Sequence, residues 1–473
     1  MRRPIFAVLT AAALAGGGIA AAATLPSTMR PAAVQAPGAA ALGLPTVKHV
    51  WIVVLENKSY AESFTPTTQA PYLLDLAKKG ALLQQYYGIA HFSLPNYIAL
   101  VSGQGPNIGT QSDCQQYDDV KLTAPLLGPD GQAIGQGCVF PSIVKTVADQ
   151  LAAKGLSWKG YMEDLGKQTG RENPACGQPT VKNLLDDTQT AAPDDQYAAR
   201  HNPFVYFHSL IDGPCVGHVA PLEPALRTDL AAASSTPAYS FITPNLCDDG
   251  HDSGGCNGPD VAGGKSYGLS AVNLWLKKYI PLILASPAYK DDGMLVVTWD
   301  EAAAATSAGD GKADADGCCD EQTVPANTPR AAGAATDISG IPSIVGSGGG
   351  RTGAIVLSPL VKPGTVSTKP YNHYSLLRTV EDLYGLPHLG YAGQATGVQA
   401  FGPDVFTAST TTPVRQPTKT PAKTPAKTPT KTPTITAPGN GLAATGLDAL
   451  LPLAATLLLV AAAAVRRRRV REA

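Results

Sequence analysis

No charge of one sign prevails in this 473-residue sequence: 36 Lys and Arg stand against 37 Asp and Glu, a net charge of −1. A chain so balanced lacks the electrostatic footprint of a nucleic-acid binder, and no nucleic-acid partner is expected. No Cys-x-x-Cys pair occurs among the eight cysteines, which argues against a zinc-thiolate site. There is no Gly-x-Ser-x-Gly elbow either, so the sharp strand-to-helix turn of a triad hydrolase has no sequence to form it. The cysteines themselves are Cys114, Cys138, Cys176, Cys215, Cys247, Cys256, Cys318 and Cys319. An even count at irregular spacing suggests disulfides in an exported chain, with the adjacent Cys318 and Cys319 expected to serve two different bridges.

Both ends carry processing signals. Met1-Arg2-Arg3 precedes an apolar, Ala-rich stretch that closes on small residues near Ala21-Ala22-Ala23. This reads as a secretory signal over residues 1–28, followed by a flexible segment over 29–44. Near the other end Lys423-Thr-Pro, Lys427-Thr-Pro and Lys431-Thr-Pro repeat. Pro and Lys at that density cannot build a core, so residues 408–441 are expected to be an extended, solvated spacer. Leu442-Ala443-Ala444-Thr445-Gly446, an apolar stretch from Leu447 to Val465, and Arg466-Arg467-Arg468-Arg469 follow. The apolar stretch contains Asp448 and is barely long enough to span a bilayer, and the arginines would stay on the cytoplasmic side. The order over residues 442–473 resembles a Gram-positive cell-wall sorting signal of the Leu-Ala-x-Thr-Gly type. The resemblance implies a sortase partner, attachment to peptidoglycan after cutting between Thr445 and Gly446, and transient membrane contact. A plain transmembrane anchor is the alternative. Either way the expected location is outside the cell, on the wall or the outer face of the cytoplasmic membrane.

Residues 45–407 between these ends are enough for one large α/β domain with insertions. Val50-Trp-Ile-Val-Val-Leu55, Met294-Leu-Val-Val-Thr298 and Ala354-Ile-Val-Leu357 are continuous apolar runs, the pattern of strands buried on both faces of a parallel sheet. Tyr239-Ser-Phe-Ile-Thr243 and residues 158–162 are weaker candidates. Helical spacing appears in Leu73, Leu74, Ala77 and Ala81 after Pro71, and in Ile143, Val144, Val147 and Leu151. It recurs over residues 269–283 and 375–384, the last closed by Gly385. The alternation predicts a three-layer α/β/α fold with a mostly parallel central sheet. Residues 302–350, and most of 103–137, read as surface loop.

In a parallel sheet, sites gather beyond the carboxyl ends of strands. The first strand ends in Glu56-Asn57, another in Asp300-Glu301, and a third runs on to Asp248, Asp249, His251 and Asp252. Hard oxygen ligands from several strands at one edge suit a divalent cation. Ser93 lies in His91-Phe-Ser-Leu-Pro-Asn-Tyr97, three residues before Asn96 and across Pro95. A serine hydroxyl needs activation, which a metal supplies. Asn96 could then donate to an oxyanion. His91, His251 and His373 are candidate phosphate donors or leaving-group acids; His201 and His208 stand lower. Ser93 could equally start a helix, with Pro95 in its first turn. The two roles are compatible, because a helix N-terminus favours anions.

Taken together, six segments resemble the bacterial phosphoesterase family that includes acid phosphatases and phospholipases C, within the alkaline-phosphatase-like superfamily. They are His49-Val-Trp-Ile-Val-Val-Leu-Glu-Asn-Lys-Ser-Tyr60, His91-Phe-Ser-Leu-Pro-Asn-Tyr97, His201-Asn-Pro-Phe-Val-Tyr-Phe207, Ser240-Phe-Ile-Thr-Pro-Asn-Leu-Cys-Asp-Asp-Gly-His-Asp252, Thr298-Trp-Asp-Glu301 and Tyr371-Asn-His-Tyr-Ser-Leu-Leu-Arg-Thr-Val-Glu-Asp-Leu-Tyr384. The resemblance implies that Glu56, Asn57, Asp300 and Glu301 hold a divalent metal. It implies that Ser93 is the nucleophile, that Asn96 grips the phosphoryl oxygen, and that His251, Asp252 and His373 fall at site positions, with His91 beside them. The second pair is Asp-Glu here where some relatives have Asp-Asp. The expected activity is hydrolysis of a phosphate ester through a phosphoserine. The acid-phosphatase type is favoured over the phospholipase C type, because no large appended domain is evident. Two other readings are open to the sequence. One is a triad hydrolase using Asp252-Ser253-Gly254-Gly255, which would survive EDTA. The other is a non-catalytic surface adhesin, which would have no use for carboxylates at strand ends.

Overall fold

The computed structural model describes residues 44–251, 268–303, 316–320 and 348–406. The expected signal peptide (1–28), the segment 29–43, the spacer (408–441), the sorting signal (442–473), Cys256 and Asp252 lie outside the described residues.

An eight-stranded sheet organises them. Its strands, in chain order, are β1 (His49–Leu55), β2 (Ala81–Leu83), β3 (Trp158–Met162), β4 (Val219–Pro221), β5 (Tyr239–Thr243), β6 (Gly293–Trp299), β7 (Ala354–Leu357) and β8 (Thr365–Ser367). Across the sheet they lie in the order β8-β2-β7-β6-β1-β5-β3-β4. Only β7 runs against its two neighbours, β6 and β2; the other pairings are parallel. The expected α/β architecture with a mostly parallel sheet is therefore the observed one.

The continuous apolar run in β1 follows from its place at the middle of three layers. Val50, Ile52 and Val54 point to one face and join a core with Leu94, Ile98 and Val101 of helix α2 (Ser93–Ser102). Leu376, Leu377 and Val380 of helix α7 (His373–Tyr384) complete that layer. Trp51, Val53 and Leu55 point the other way, against Leu73 and Leu76 of α1 (Pro71–Lys79) and Val272, Trp275 and Leu276 of α5 (Gly268–Ala285). Period-two alternation thus feeds two cores, each buried Val, Leu or Ile contributing ~1.5–3 kcal/mol before entropy is counted. Further helices are α3 (Val147–Ala153), α4 (Leu222–Asp229) and α6 (Pro287–Asp292).

Two expectations are corrected and one is refined. The helix expected from Ile143 begins at Val147 instead, because Thr146 and Asp149 form a capping box and Ile143 is left exposed. Most of residues 103–137 is loop, as expected, but the segment also carries a hairpin in which Lys121–Leu127 pairs antiparallel with Ala133–Gln136, turning through Pro129-Asp130-Gly131. Cys318 and Cys319 are bonded to each other, with Cα atoms 3.7 Å apart, where a left-handed Cys319 (φ 73°) turns the chain back on itself. Cys114–Cys138 and Cys176–Cys215 are the other bridges with both partners described, and Cys247 is also disulfide-bonded.

Candidate active site

The sheet register brings the acidic pairs together. Leu55 of β1 lies opposite Trp299 of β6, so Glu56-Asn57 and Asp300-Glu301 leave the sheet side by side. Backbone hydrogen bonds extend the ladder past the strands: the Asp300 amide donates to the Leu55 carbonyl (2.8 Å) and the Glu56 amide to the Asp249 carbonyl (2.8 Å). Three strand exits, from β1, β5 and β6, are thereby fixed to one another by main chain alone. Gly250, at φ 110°, is needed for this closeness, since a Cβ there would meet Trp299 Cζ3 at 2.9 Å and the Glu56 carbonyl oxygen at 3.0 Å.

Ser93 is the first residue of α2, and its Oγ donates to Glu56 Oε2 at 2.7 Å. The residue before it, Phe92, has φ 72°. A left-handed phenylalanine is an uncommon conformation for a bulky side chain, and here it turns the chain sharply so that the serine heads the helix. Asn96 holds that turn. Its Oδ1 accepts from the Ile89 amide (2.7 Å) and the Ala90 amide (3.2 Å), while its Nδ2 donates to the carbonyls of Ala90 (2.8 Å) and Phe92 (2.9 Å). The amide expected to face an oxyanion is thus engaged by the loop that presents Ser93.

Glu56 is fully buried and crowded with partners. Tyr97 Oη donates to its Oε1, and His201 Nε2 lies 3.3 Å from its Oε2. Burial alone would raise the Glu56 pKa, but His201, Tyr97 and Ser93 outweigh it and hold the carboxyl below its usual range. Asp300 goes the other way: burial, then the charges of Glu56 and Glu301, push it well above the usual range. Burial also raises Glu301 to about 7, against the opposing effect of His91, whose Nδ1 is 2.8 Å from Glu301 Oε2. Carboxylates pushed apart in this way share too little positive charge.

A cation would supply it. The Asn57 amide terminus lies 3.1 Å from Asp300 Oδ1, 3.3 Å from Asp300 Oδ2 and 3.1 Å from Glu301 Oε1. With its nitrogen turned inward it donates to both carboxylates; with its oxygen inward it completes a set of hard oxygen ligands. On the other side of Glu56, ligand atoms of Glu56, His201 and Asp249 all lie within 4.8 Å of one another. Among the described residues, Asp249 Oδ2 is buried without a hydrogen-bond partner, and His201 Nε2 has only its ion-pair contact with Glu56 Oε2. Orphaned donor atoms around a shared carboxylate are what a divalent ion would satisfy, so the residues present fit one.

His201, which stands lower among the sequence candidates, and Asp249 join the site in the structure. His201 is stacked on Tyr97, ring centroids 5.2 Å apart, and its Nδ1 is 3.6 Å from Asp249 Oδ2. His208 does lie elsewhere, with Asp119 and Asp212 as its partners. The other histidines separate by environment. His373 is fully buried, its Nε2 donating to the Asp300 carbonyl (2.5 Å) and its Nδ1 paired with Tyr86 Oη (3.0 Å). Both ring nitrogens are committed, so it braces Asp300 from behind. His251 is exposed, and its backbone amide donates to Asp249 Oδ1 at 2.8 Å.

The phosphoesterase family profile matches residues 62–387. A phosphatidylinositol-3-phosphatase of Mycobacterium tuberculosis is 27% identical over 84% of this chain and 95% of its own length. A phosphate-repressible acid phosphatase of Penicillium chrysogenum is 27% identical over 54% of this chain and 47% of its own, so the chain spans about half of that relative. Among solved structures, an alkaline phosphatase superfamily protein from Vibrio parahaemolyticus aligns over 74% of this chain and 70% of its own at 12% identity, with a TM-score of 0.40.

Proposed function

Because this chain belongs to the phosphoesterase family and is a hydrolase of phosphoric ester bonds, we propose that it is a metal-dependent phosphomonoesterase in which Ser93 is the nucleophile. The observation that carries this reading is the 2.7 Å hydrogen bond from Ser93 Oγ to Glu56, inside a buried set of carboxylates from three strand exits.

Glu56, Asn57, Asp300 and Glu301 would hold the metal, with His201 and Asp249 on the far side of Glu56. When bound, a divalent ion lowers the pKa of a nearby hydroxyl and neutralises phosphoryl charge. Glu56 orients the Ser93 hydroxyl, and Tyr97 and His201 keep Glu56 ionised. Ser93 Oγ gives its proton to the Glu56 carboxylate that accepts its hydrogen bond and forms a bond to phosphorus as the P–O bond to the alcohol breaks. His251 is the proton donor for the leaving oxygen, since His91 and His373 are engaged by Glu301 and Asp300. Water then attacks the phosphoserine, the P–Oγ bond breaks, and Ser93 regains its proton as phosphate leaves. Asn96 sets the turn before Ser93, and His373 positions Asp300. A monoester substrate is favoured by the mycobacterial relative, a phosphatidylinositol-3-phosphatase matched over nearly its whole length.

Ser93→Ala is expected to cut kcat on an aryl phosphate by at least ~10³-fold with folding intact. Undiminished turnover in that variant would eliminate the phosphoserine route. The proposal includes export and tethering, supported by the order of the N-terminal apolar stretch, the Lys-Thr-Pro spacer and the Leu-Ala-Ala-Thr-Gly segment. Removing residues 442–473 should then release the enzyme into the medium of a producing Gram-positive cell. Retention at the surface would argue against it. Among the described residues, no helix is long and apolar enough to cross a membrane.

A further inference from the structure

Arg200 precedes His201, and its side chain is only 7% exposed. Its Nη1 donates to the Gln189 carbonyl (2.8 Å) and approaches Gln189 Oε1 (3.4 Å). Among the described residues, its Nε and Nη2 make no hydrogen bond; the nearest acidic oxygen, Asp113 Oδ2, is 3.9 Å from Nε, beyond hydrogen-bond range. Neither nitrogen is among the fully buried atoms left without a partner, so this edge of the fork keeps contact with solvent and is open to a ligand.

Asp113 shows where that something would lie. Its Oδ1 accepts from the Leu94 amide at 3.0 Å. Leu94 directly follows Ser93, so this amide belongs to the open N-terminal turn of α2, where an anion is favoured. Asp113 therefore places a carboxylate between the amide behind the nucleophile and the open side of a guanidinium. It is held there by a strained turn, with φ 55° at Asp113 and 51° at Cys114, and by the Cys114–Cys138 bridge. Its side chain remains 16% exposed, so the pair can be reached from outside. A phosphoryl group attacked by Ser93 must bring its oxygens into this neighbourhood.

We propose that Arg200 is a substrate-binding residue whose free guanidinium edge takes a non-bridging phosphoryl oxygen, in competition with the Asp113 carboxylate. The planar fork suits this role better than a lysine would. The inference rests on Ser93 being the nucleophile, because it places phosphorus near the head of α2.

The test uses the full chain with divalent metal added and inorganic phosphate as the probe. Phosphate affinity is measured by titration calorimetry, with KM and kcat on an aryl phosphate alongside. Arg200→Met should weaken phosphate binding ~10- to 100-fold and raise KM similarly, and Arg200→Lys should restore only part of the loss. Asp113→Asn keeps an acceptor for the Leu94 amide but removes the competing charge, so phosphate should bind more tightly. Phosphate affinity within twofold of the parent in a folded Arg200→Met protein overturns the proposal. So does weaker binding in Asp113→Asn, and so does failure of both Arg200 variants to fold, which would assign the residue to the scaffold. Calorimetry in a Ser93→Ala background keeps the two readings apart. There phosphate binding is read without turnover, so loss of the Arg200 effect and loss of the phosphoserine route are separate results.

Discussion

At the scale of the single residue, the site is a set of side chains that restrain one another. Tyr97 is the simplest example: its hydroxyl donates to Glu56, the carboxylate that in turn receives Ser93. Tyr97→Phe leaves the ring stacked on His201 and removes only that donor. A hydrogen bond to a charged group is worth ~1.5–3 kcal/mol, so kcat should fall ~10-fold or more with little change in thermal stability. An unchanged kcat would show that Glu56 needs no such support. His373 gives a residue-level prediction for acid stability. Burial lowers its pKa from 6.5 to about 4. Between those values the unfolded chain binds a proton that the folded chain refuses, so the unfolded state gains as pH drops. The stabilisation is complete above pH 6.5 and is lost as pH falls toward 4, amounting to ~3 kcal/mol. Urea unfolding across that range should show a steep slope, and His373→Gln should flatten it. An identical slope in the variant would assign the acid sensitivity to other groups.

Elements explain what was legible in the sequence and what was not. Strands β1 and β6, two of the three that frame the site, announce themselves because burial on both faces demands unbroken apolar runs, and the residues just after them are then obvious. Glu56, Asn57, Asp300 and Glu301 were legible for that reason. His201 and Asp249 were harder. His201 sits on a short 3₁₀ turn with no periodic pattern, and Asp249 competes with Asp248 and Asp252 for the same reading. Only the parallel pairing of β1 with β5, which sets the Glu56 amide on the Asp249 carbonyl, separates them. Asn96 shows the opposite failure: its sequence position suggests a ligand contact, but four backbone groups of its own loop saturate it. The start of α3 could have been found, since Thr146 and Asp149 spell a capping box. At this scale the Cys114–Cys138 bridge closes a loop with a sequence separation of 24 and carries Asp113 beside it. Replacing both cysteines by serine should cost about 3 kcal/mol and loosen the Asp113 contact to Leu94. Differential scanning calorimetry would read the first effect and KM the second. Equal melting temperatures would mean the hairpin holds the loop without the bridge.

For the molecule as a whole, the concentration of buried acid at one end of the sheet sets a balance between stability and chemistry. Glu56, Asp249, Asp300 and Glu301 are all buried there, and without a cation their mutual repulsion opposes folding. A divalent ion that binds the folded state alone raises stability by mass action. Dialysis against EDTA is therefore expected to lower the melting temperature as well as abolish turnover, and metal add-back should restore both. A melting temperature indifferent to chelation would separate the carboxylates from any metal. The two cores flanking the sheet differ in what they control. The face with α2 and α7 carries the serine and the brace behind Asp300, whereas the face with α1 and α5 carries Trp275 and Tyr279, away from Ser93 in the chain's layering.

All ten residues of the helix that begins at Ser93 are buried. Most enzyme nucleophiles described as sitting on loops can shift with a loop; this one can move only if the surrounding layer opens. In time rather than space, that makes the helix a clock for the whole fold. Its amides from Tyr97 to Ser102 should exchange with solvent deuterium only through global unfolding, among the slowest in the chain. Substrates of different shape must then be accommodated by the segments around the serine and not by the serine itself.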